Sequence, residues 1–256
     1  IEAVFDEWTA AVLCRPAQSG WMHAGKLVAF VDEDPFCIPN GVATCLEAGF
    51  DERAVAWRGE LEAAGHPCMR GFADHCFIAA TEDYRRVHPP DLLPETHPVL
   101  DGLLADGVRI TVVSNSPFEK IAHWLGSADL RCVRADAQSG AGAIRVQGKA
   151  GKESIAPGSR PVSLGGRLVE VDRPIYRDLL RREAADVVLG DVFSLDLATP
   201  HQMRVGGEAG APRGILLRHA RHTPPWSLAL ATGPEGAVDA LVADLTELPG
   251  VLARFA

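Results

Sequence analysis

The stretch Lys26 to Phe36, KLVAFVDEDPF, constrains this chain more than any other, because an apolar run ends abruptly in three consecutive carboxyl side chains. Leu27 to Val31 show no polar alternation, and the run has the length of a parallel-sheet strand buried on both faces. Asp32, Glu33 and Asp34 then fall at its carboxyl end, which in an open α/β sheet is where ligands bind. Pleat alternation sends Asp32 and Asp34 to one side and Glu33 to the other. Two like charges on one side repel, and a hard divalent cation such as magnesium lowers that cost. The competing reading is a solvated acidic turn that merely ends a strand.

A chain of 256 residues suffices for one large α/β domain, or for a core with a smaller insertion. Its 47% hydrophobic and 23% charged residues are those of a folded globular protein, not of a disordered or fibrous one. With 25 basic and 34 acidic residues the formal charge is -9, which disfavours a nucleic-acid partner. An anionic substrate then needs a metal or local basic groups. Apolar runs of about five to seven residues fall far short of the roughly 18 that cross a bilayer, so no membrane span is expected. The opening IEAVFDEWTAAVL carries acids where a secretory signal carries Lys or Arg, and the expectation is a cytoplasmic protein.

Cys14, Cys37, Cys45, Cys68, Cys76 and Cys132 form no CxxC pair and are expected to be reduced. His66, Cys68, His75 and Cys76 come nearest to a transition-metal cluster, but their spacing fits no common zinc pattern. Cys76 shares a helical face with Phe72, Phe77, Ala80, Tyr84 and Val87, which predicts a place in the core.

Along the chain, Ile1, Phe5, Trp8 and Val12 predict an N-terminal helix that ends at Pro16 to Gly20. Pro35 to Gly49 reads as irregular. Asp51 opens a helix that Gly65 closes, a second runs from Phe72 to Val87, and His88-Pro89-Pro90 ends the block. The result is a helical insertion over about 36–92, placed as a lid above the acidic triplet. Thr96 and Pro98 start a helix with Leu100, Leu103 and Leu104 inside, ended by Gly107. Val108 to Val113 is a β-branched strand that ends in Ser114, Asn115, Ser116 and Pro117.

Ser116 with Glu119 has the spacing of a capping box, and Pro117 suits the first position of a helix running to Gly126. Ser114 and Asn115 thus lie between a strand's carboxyl end and a helix's amino end, where hydroxyl, amide and backbone N–H groups hold an anion. From Ser139 to Gly166 the chain turns rich in Gly, Ser, Ala and Lys; strand-like pieces at Ala143 to Gln147 and Arg167 to Val171 predict a β-hairpin extension, with Lys149 and Lys152 solvated. Asp172, Arg173 and Pro174 begin a helix with Ile175, Leu179 and Leu180 inside, and Asp186 to Leu189 is a buried strand followed by Gly190 to Asp196.

Four strand ends therefore carry, in order, VDED, VVSNS, a basic residue before Pro, and LGDVFSLD. This order resembles the haloacid-dehalogenase-like hydrolases over most of the chain. Asp32 and Asp34 match the family's first motif, Ser114 the second, Arg173 the third, and Asp191 with Asp196 the fourth. Phe36 stands where that family has Thr, and Arg173 where it has Lys. The resemblance implies a Rossmann-like parallel α/β core of residues 1–35 and 93–256, helices on both faces, and a helical cap at 36–92.

It also implies roles. Asp32 would form an aspartyl-phosphate, and Asp34 would protonate the leaving group and then activate water. Magnesium would take Asp32, the Asp34 carbonyl and Asp191, with Asp196 as ligand or orienter. Ser114, Asn115 and their N–H groups would hold the phosphate, and Arg173 would fork onto it. The expected activity is magnesium-dependent hydrolysis of a small phosphorylated metabolite. Two alternatives stand beside it: a dehalogenase, which needs no magnesium and generally lacks the second Asp, and an inactive homologue serving as a binding or scaffold module, for which Phe36 and Arg173 speak.

Overall fold

The computed structural model describes residues 2–49, 51–88, 92–137, 142–233 and 236–255, with side chains from residue 6 onward. An N-terminal helix α1 (Glu2–Leu13) leads to a hairpin of β1 (Gly20–His23) and β2 (Lys26–Phe30). Three helices follow, α2 (Ile38–Ala48), α3 (Glu52–Ala63) and α4 (Met69–Val87). Then come α5 (Thr96–Ala105), β3 (Thr111–Val113), α6 (Phe118–Ser127), β4 (Cys132–Arg134) and β5 (Ile144–Gln147). A second hairpin, β6 (Val162–Leu164) and β7 (Arg167–Val169), precedes α7 (Pro174–Glu183), β8 (Val187–Gly190) and a π-turn at Phe193–Leu197. The chain closes through α8 (Ala198–Val205), β9 (Gly214–Arg218), α9 (Pro225–Ala229), β10 (Ala240–Val242) and α10 (Leu248–Leu252).

The apolar, β-branched segments make parallel pairs. One sheet has the order β3-β5-β4 and the other β10-β9-β8, both parallel throughout. In β9, Ile215, Leu216 and Leu217 are wholly buried, as expected of a central strand with elements on both faces. The fold is thus mixed α/β with parallel sheets, and no closed barrel forms among the described residues.

The first apolar strand departs from expectation. Val28, Ala29 and Phe30 are buried, but β2 pairs antiparallel with β1, Gly20 opposite Phe30, with an irregularity between Trp21 and Met22. Gly20 permits the approach: a Cβ there would sit 1.9 Å from the Ala29 carbonyl oxygen. β1 leaves no mark in the sequence, because GWMH is too short to show a period.

Pro35 to Gly49 is not irregular either. Helix α2 occupies Ile38–Ala48, with Pro39 in its first turn, where no intrahelical N–H is required, and Gly49 as a left-handed cap at φ +55°. Gly41, a helix breaker by propensity, serves packing: its Cβ would lie 2.8 Å from Val12 of α1. The buried residues of α2, α3 and α4, among them Leu46, Leu61 and Phe72, join Trp8, Val12, Val31, Val192 and Leu195 in one cluster. Asp51 caps α3 as predicted, accepting from the Ala54 N–H at 2.8 Å. Cys76 packs against this cluster, whereas Tyr84 and Val87 are exposed, so only the first half of the predicted apolar face of α4 is used. Pro89 and Pro90, in the connection that closes the 36–92 segment, lie outside the described residues.

The expected hairpin between Ala143 to Gln147 and Arg167 to Val171 does not form. Ile144–Gln147 is the middle strand of a parallel sheet, and Arg167–Val169 pairs instead with Val162–Leu164 across Gly165 and Gly166, at φ +56° and +76°. Ser139 to Ala141, where the Gly- and Ser-rich stretch begins, lie outside the described residues. β3 covers only the end of the predicted 108–113 strand. Pro117 is the N-cap of α6 with no side-chain capping bond, so the Ser116–Glu119 box is not made. In α7 the inner face is Tyr176, Leu179 and Leu180, with Ile175 exposed. None of the six cysteines forms a disulfide. Among the described residues no helix is long and apolar enough to cross a membrane.

Candidate active site

The acidic triplet sits on a turn, not on a continuing strand. β2 stops at Phe30, and the Phe30 carbonyl accepts from both the Glu33 and Asp34 N–H groups at 3.1 Å. Pleat alternation therefore never acts on the triplet, and its three carboxyl groups go three ways.

Asp32 turns to the second hairpin. Its Oδ2 accepts from Arg167 Nη2 at 2.7 Å, and the Arg167 guanidinium lies over the Phe30 and Trp226 rings at 5.1 and 5.4 Å from their centroids. Glu33 is buried; it accepts from the Ser194 N–H at 3.2 Å and the Ser227 hydroxyl at 3.1 Å. Burial pushes its carboxyl up to about 8, against the pull of those hydrogen bonds.

Asp34 caps the short turn Pro35–Cys37 by accepting from the Phe36 N–H at 2.9 Å. Its carboxyl is raised, first by desolvation and further by Asp196, while the Phe36 and Cys37 hydrogen bonds and His222 oppose the shift. Asp191 is raised by desolvation and then by Asp196, with Lys152 opposing and Asp34 adding to the rise. Because Asp191 is solvent-exposed, that desolvation is partial. Asp34, Asp191 and Asp196 thus share one electrostatic neighbourhood, while the Asp32 carboxylate is bonded to Arg167.

Local sequence explains how Asp196 gets there. After Gly190 the chain makes the π-turn, so that Asp196 folds back onto the end of β8; a Cβ on residue 190 would lie 2.4 Å from the Asp196 Cβ. Asp196 accepts from the Val192 N–H at 3.2 Å through Oδ2 and from Lys152 Nζ at 2.5 Å through Oδ1. Lys152 was expected in solvent, yet its side chain is only 13% exposed. Its Nζ also donates to the Val113 carbonyl at 3.3 Å, and its backbone N–H donates to Asn115 Oδ1 at 3.0 Å. Lys149 remains exposed. The usable signal for Lys152 was a basic residue just past the carboxyl end of the apolar 143–147 run, obscured by the Gly- and Ser-rich composition around it.

Ser114 closes β3, donating its N–H to the Gln147 carbonyl at 3.0 Å and accepting from the Ser116 N–H at 3.1 Å through its hydroxyl oxygen. The hydroxyl proton stays available for a ligand. Arg173 is placed differently. It is wholly buried, and its guanidinium donates to the carbonyls of Val28 at 2.7 Å, Ser194 at 3.0 Å and Lys152. Desolvation draws it down to about 10, with Asp196, Glu170 and Glu33 holding it up. Arg173 clasps β2, the π-turn and the Lys152 loop to one another, and the fork expected to reach a phosphate is spent on these carbonyls.

The expected magnesium set is not assembled as four ligands, since Asp32 faces Arg167 and Asp196 faces Lys152. Among the described residues no three His, Cys, Asp or Glu side chains stand close enough to hold a metal ion together, and this includes His66, Cys68, His75 and Cys76. What remains is the Asp191 carboxylate and the Asp34 carbonyl, which accepts only the Cys37 N–H at 2.9 Å. Oxygen donors in this number fit magnesium, which commonly takes one or two protein carboxylates and fills the rest with water. Two cavities, of about 510 and 450 Å³, lie along α2 near Arg70 and beside α1 near Arg15, and no candidate carboxylate lines either. No family model, curated protein or solved structure matches the chain.

Proposed function

We propose that the chain is a magnesium-dependent phosphatase of the haloacid-dehalogenase-like kind, hydrolysing a small phosphate monoester through an aspartyl-phosphate. The observation that carries this reading is the contrast between Asp32, 2.7 Å from a guanidinium, and Asp34, desolvated and raised beside Asp196. Neighbouring carboxyl groups in opposed environments are what a nucleophile and a general acid require. In this reading residues 1–35 and 93–256 form the core and 36–92 the cap, and cysteines without disulfides suit a cytoplasmic setting.

The chemistry runs as a double displacement. An Asp32 oxygen bonds to phosphorus while the ester P–O bond breaks, and Asp34 gives its proton to the departing alkoxide. Asp34, now ionised, takes a proton from water; the resulting hydroxide attacks phosphorus, the Asp32–phosphorus bond breaks, and inorganic phosphate leaves. Ser114 donates its hydroxyl proton to a phosphoryl oxygen, and Asn115 holds the Lys152 loop so that its ammonium lies beside Asp196. Magnesium on Asp191 and the Asp34 carbonyl would neutralise phosphoryl charge.

The test is a screen of phosphorylated metabolites and an aryl phosphate with and without magnesium. Release of phosphate only with the metal supports the reading. A protein that hydrolyses no ester and gains no stability from magnesium would favour a binding module instead, a reading that the engagement of Asp32 by Arg167 keeps specific.

A further inference from the structure

Arg167 and Asp32 meet in an unusual way for a buried ion pair. Only Nη2 and Oδ2 are joined; Arg167 Nη1 and Asp32 Oδ1 are both covered and make no hydrogen bond within the protein. The two side chains are 13% and 22% exposed. A bidentate pair would satisfy all four atoms, and a buried polar atom left without a partner is destabilising. The arrangement is held from outside the pair. The turn of the second hairpin rests on α9 through Gly165, whose Cβ would lie 2.8 Å from the Trp226 carbonyl oxygen, and the guanidinium is stacked against Phe30 and Trp226. Those rings also pack edge-to-face, 5.5 Å apart. The aromatic walls fix the plane of the guanidinium without using any of its N–H groups, which leaves the donors free to exchange partners.

We propose that Arg167 is the phosphoryl-binding cation of the site, and that an incoming phosphate dianion exchanges with Asp32 for its donors, uncovering the carboxylate for attack. This rests on the phosphatase reading for the role of Asp32, but the anion site itself does not. Nη1 and Nη2 then fork onto two phosphoryl oxygens, and Asp32 is released only where a phosphate is present to replace it. The ligand class is a phosphate dianion, which offers three equivalent oxygens to a planar fork; a carboxylate offers two and carries half the charge. Arg167 assumes the part that the resemblance implied for Arg173, whose Nη1 and Nη2 are held by backbone carbonyls.

The probe is inorganic phosphate, titrated into the full chain with magnesium and followed by calorimetry and by tryptophan emission. Binding should change the emission, and Trp226→Phe should remove most of that change while binding persists. Arg167→Met should weaken phosphate roughly ten- to a hundredfold, as expected for loss of a charged hydrogen-bond donor. Arg167→Lys, which keeps the charge but not the fork, should fall between and covers the case in which the Met variant does not fold. Asp32→Asn should bind phosphate at least as tightly as the native chain, because it frees the guanidinium. Equal affinity in native and Arg167→Met protein, or no phosphate binding by the native chain, overturns the proposal. If phosphate binds through Arg167 yet no ester is hydrolysed, the anion site stands and the phosphatase reading falls.

Discussion

Asp32 and Asp34 stand two residues apart and have different partners, a guanidinium for the first and the Phe36 N–H for the second. On one flank a single carboxylate is met by a guanidinium walled by two aromatic rings; on the other, Asp196 raises the carboxyls of Asp34 and Asp191 while itself accepting from the Lys152 ammonium. The difference comes from the backbone: because the strand stops at Phe30 and the Phe30 carbonyl takes two N–H groups, the triplet is splayed by a turn. Buried Glu33 is the post between the flanks, tied to the π-turn and to α9. The turn gives each member of a run of like charges a separate environment, which the proposed division into nucleophile and general acid requires.

The hardest blow to that contrast is Asp32→Asn, which should abolish turnover and any covalent phosphoryl-enzyme, since an amide is no nucleophile towards phosphorus. Asp34→Asn should cost about 10²- to 10⁴-fold with an alkyl ester and less with an aryl ester, whose leaving group needs little protonation. Single-turnover release of alcohol from both esters separates the two; equal loss for both would remove Asp34 as the general acid.

Arg173→Met strikes both flanks at once. Removing a wholly buried guanidinium leaves the Val28, Ser194 and Lys152 carbonyls without their donor, and the expected loss is about 3 kcal/mol or more in a urea melt. Were Arg173 instead a phosphate ligand, the variant would keep its stability and lose turnover. A smaller effect tells the flanks apart. Magnesium at a hundred times its dissociation constant should stabilise the chain by about 2.7 kcal/mol, Asp191→Asn should remove most of that gain, and Asp32→Asn should leave most of it. A gain lost equally in both variants would move the metal back between the two aspartates.

How far the sequence spoke for itself differs between regions. The parallel strand at Val187–Gly190 was legible from its apolar run, although Val187, Val188 and Leu189 are half-buried where full burial was expected, and the start of α3 and the end of α5 were legible because Asp51 and Gly107 have one obvious use. The candidate residues were legible only as polar and charged types following apolar runs. Their orientations were not, because a turn at 31–34 and a π-turn at 193–197 depend on hydrogen bonds between segments distant in sequence. α2 was hidden by Pro39 and Gly41, which read as breakers although one fits the first turn and the other a close approach to Val12. Arg167 and Lys152 were hidden by the polar composition of 139–166 and its margin, where nothing local marks a long cation as buried.

The finest test of the contrast addresses the residue between the flanks. Burial penalises the Glu33 carboxylate and pushes the group up to about 8 in the folded chain, against its ordinary 4.5 when unfolded. Between those values the folded state holds a proton that the unfolded state has released. Its contribution to stability is therefore complete below about pH 4.5 and is lost as pH rises towards 8. The upper limit is about 1.4 kcal/mol for each pH unit crossed. Asp34, also raised, adds a loss of the same sign. Glu33→Gln keeps a carbonyl for the Ser194 N–H and the Ser227 hydroxyl but has no proton to lose. Its urea midpoint should vary less between pH 5 and 8 than that of the native chain, the two curves diverging as pH rises. If the curves run parallel, Glu33 is ionised in the folded protein, and the turn must then hold two adjacent anions, Asp32 and Glu33, against a single guanidinium.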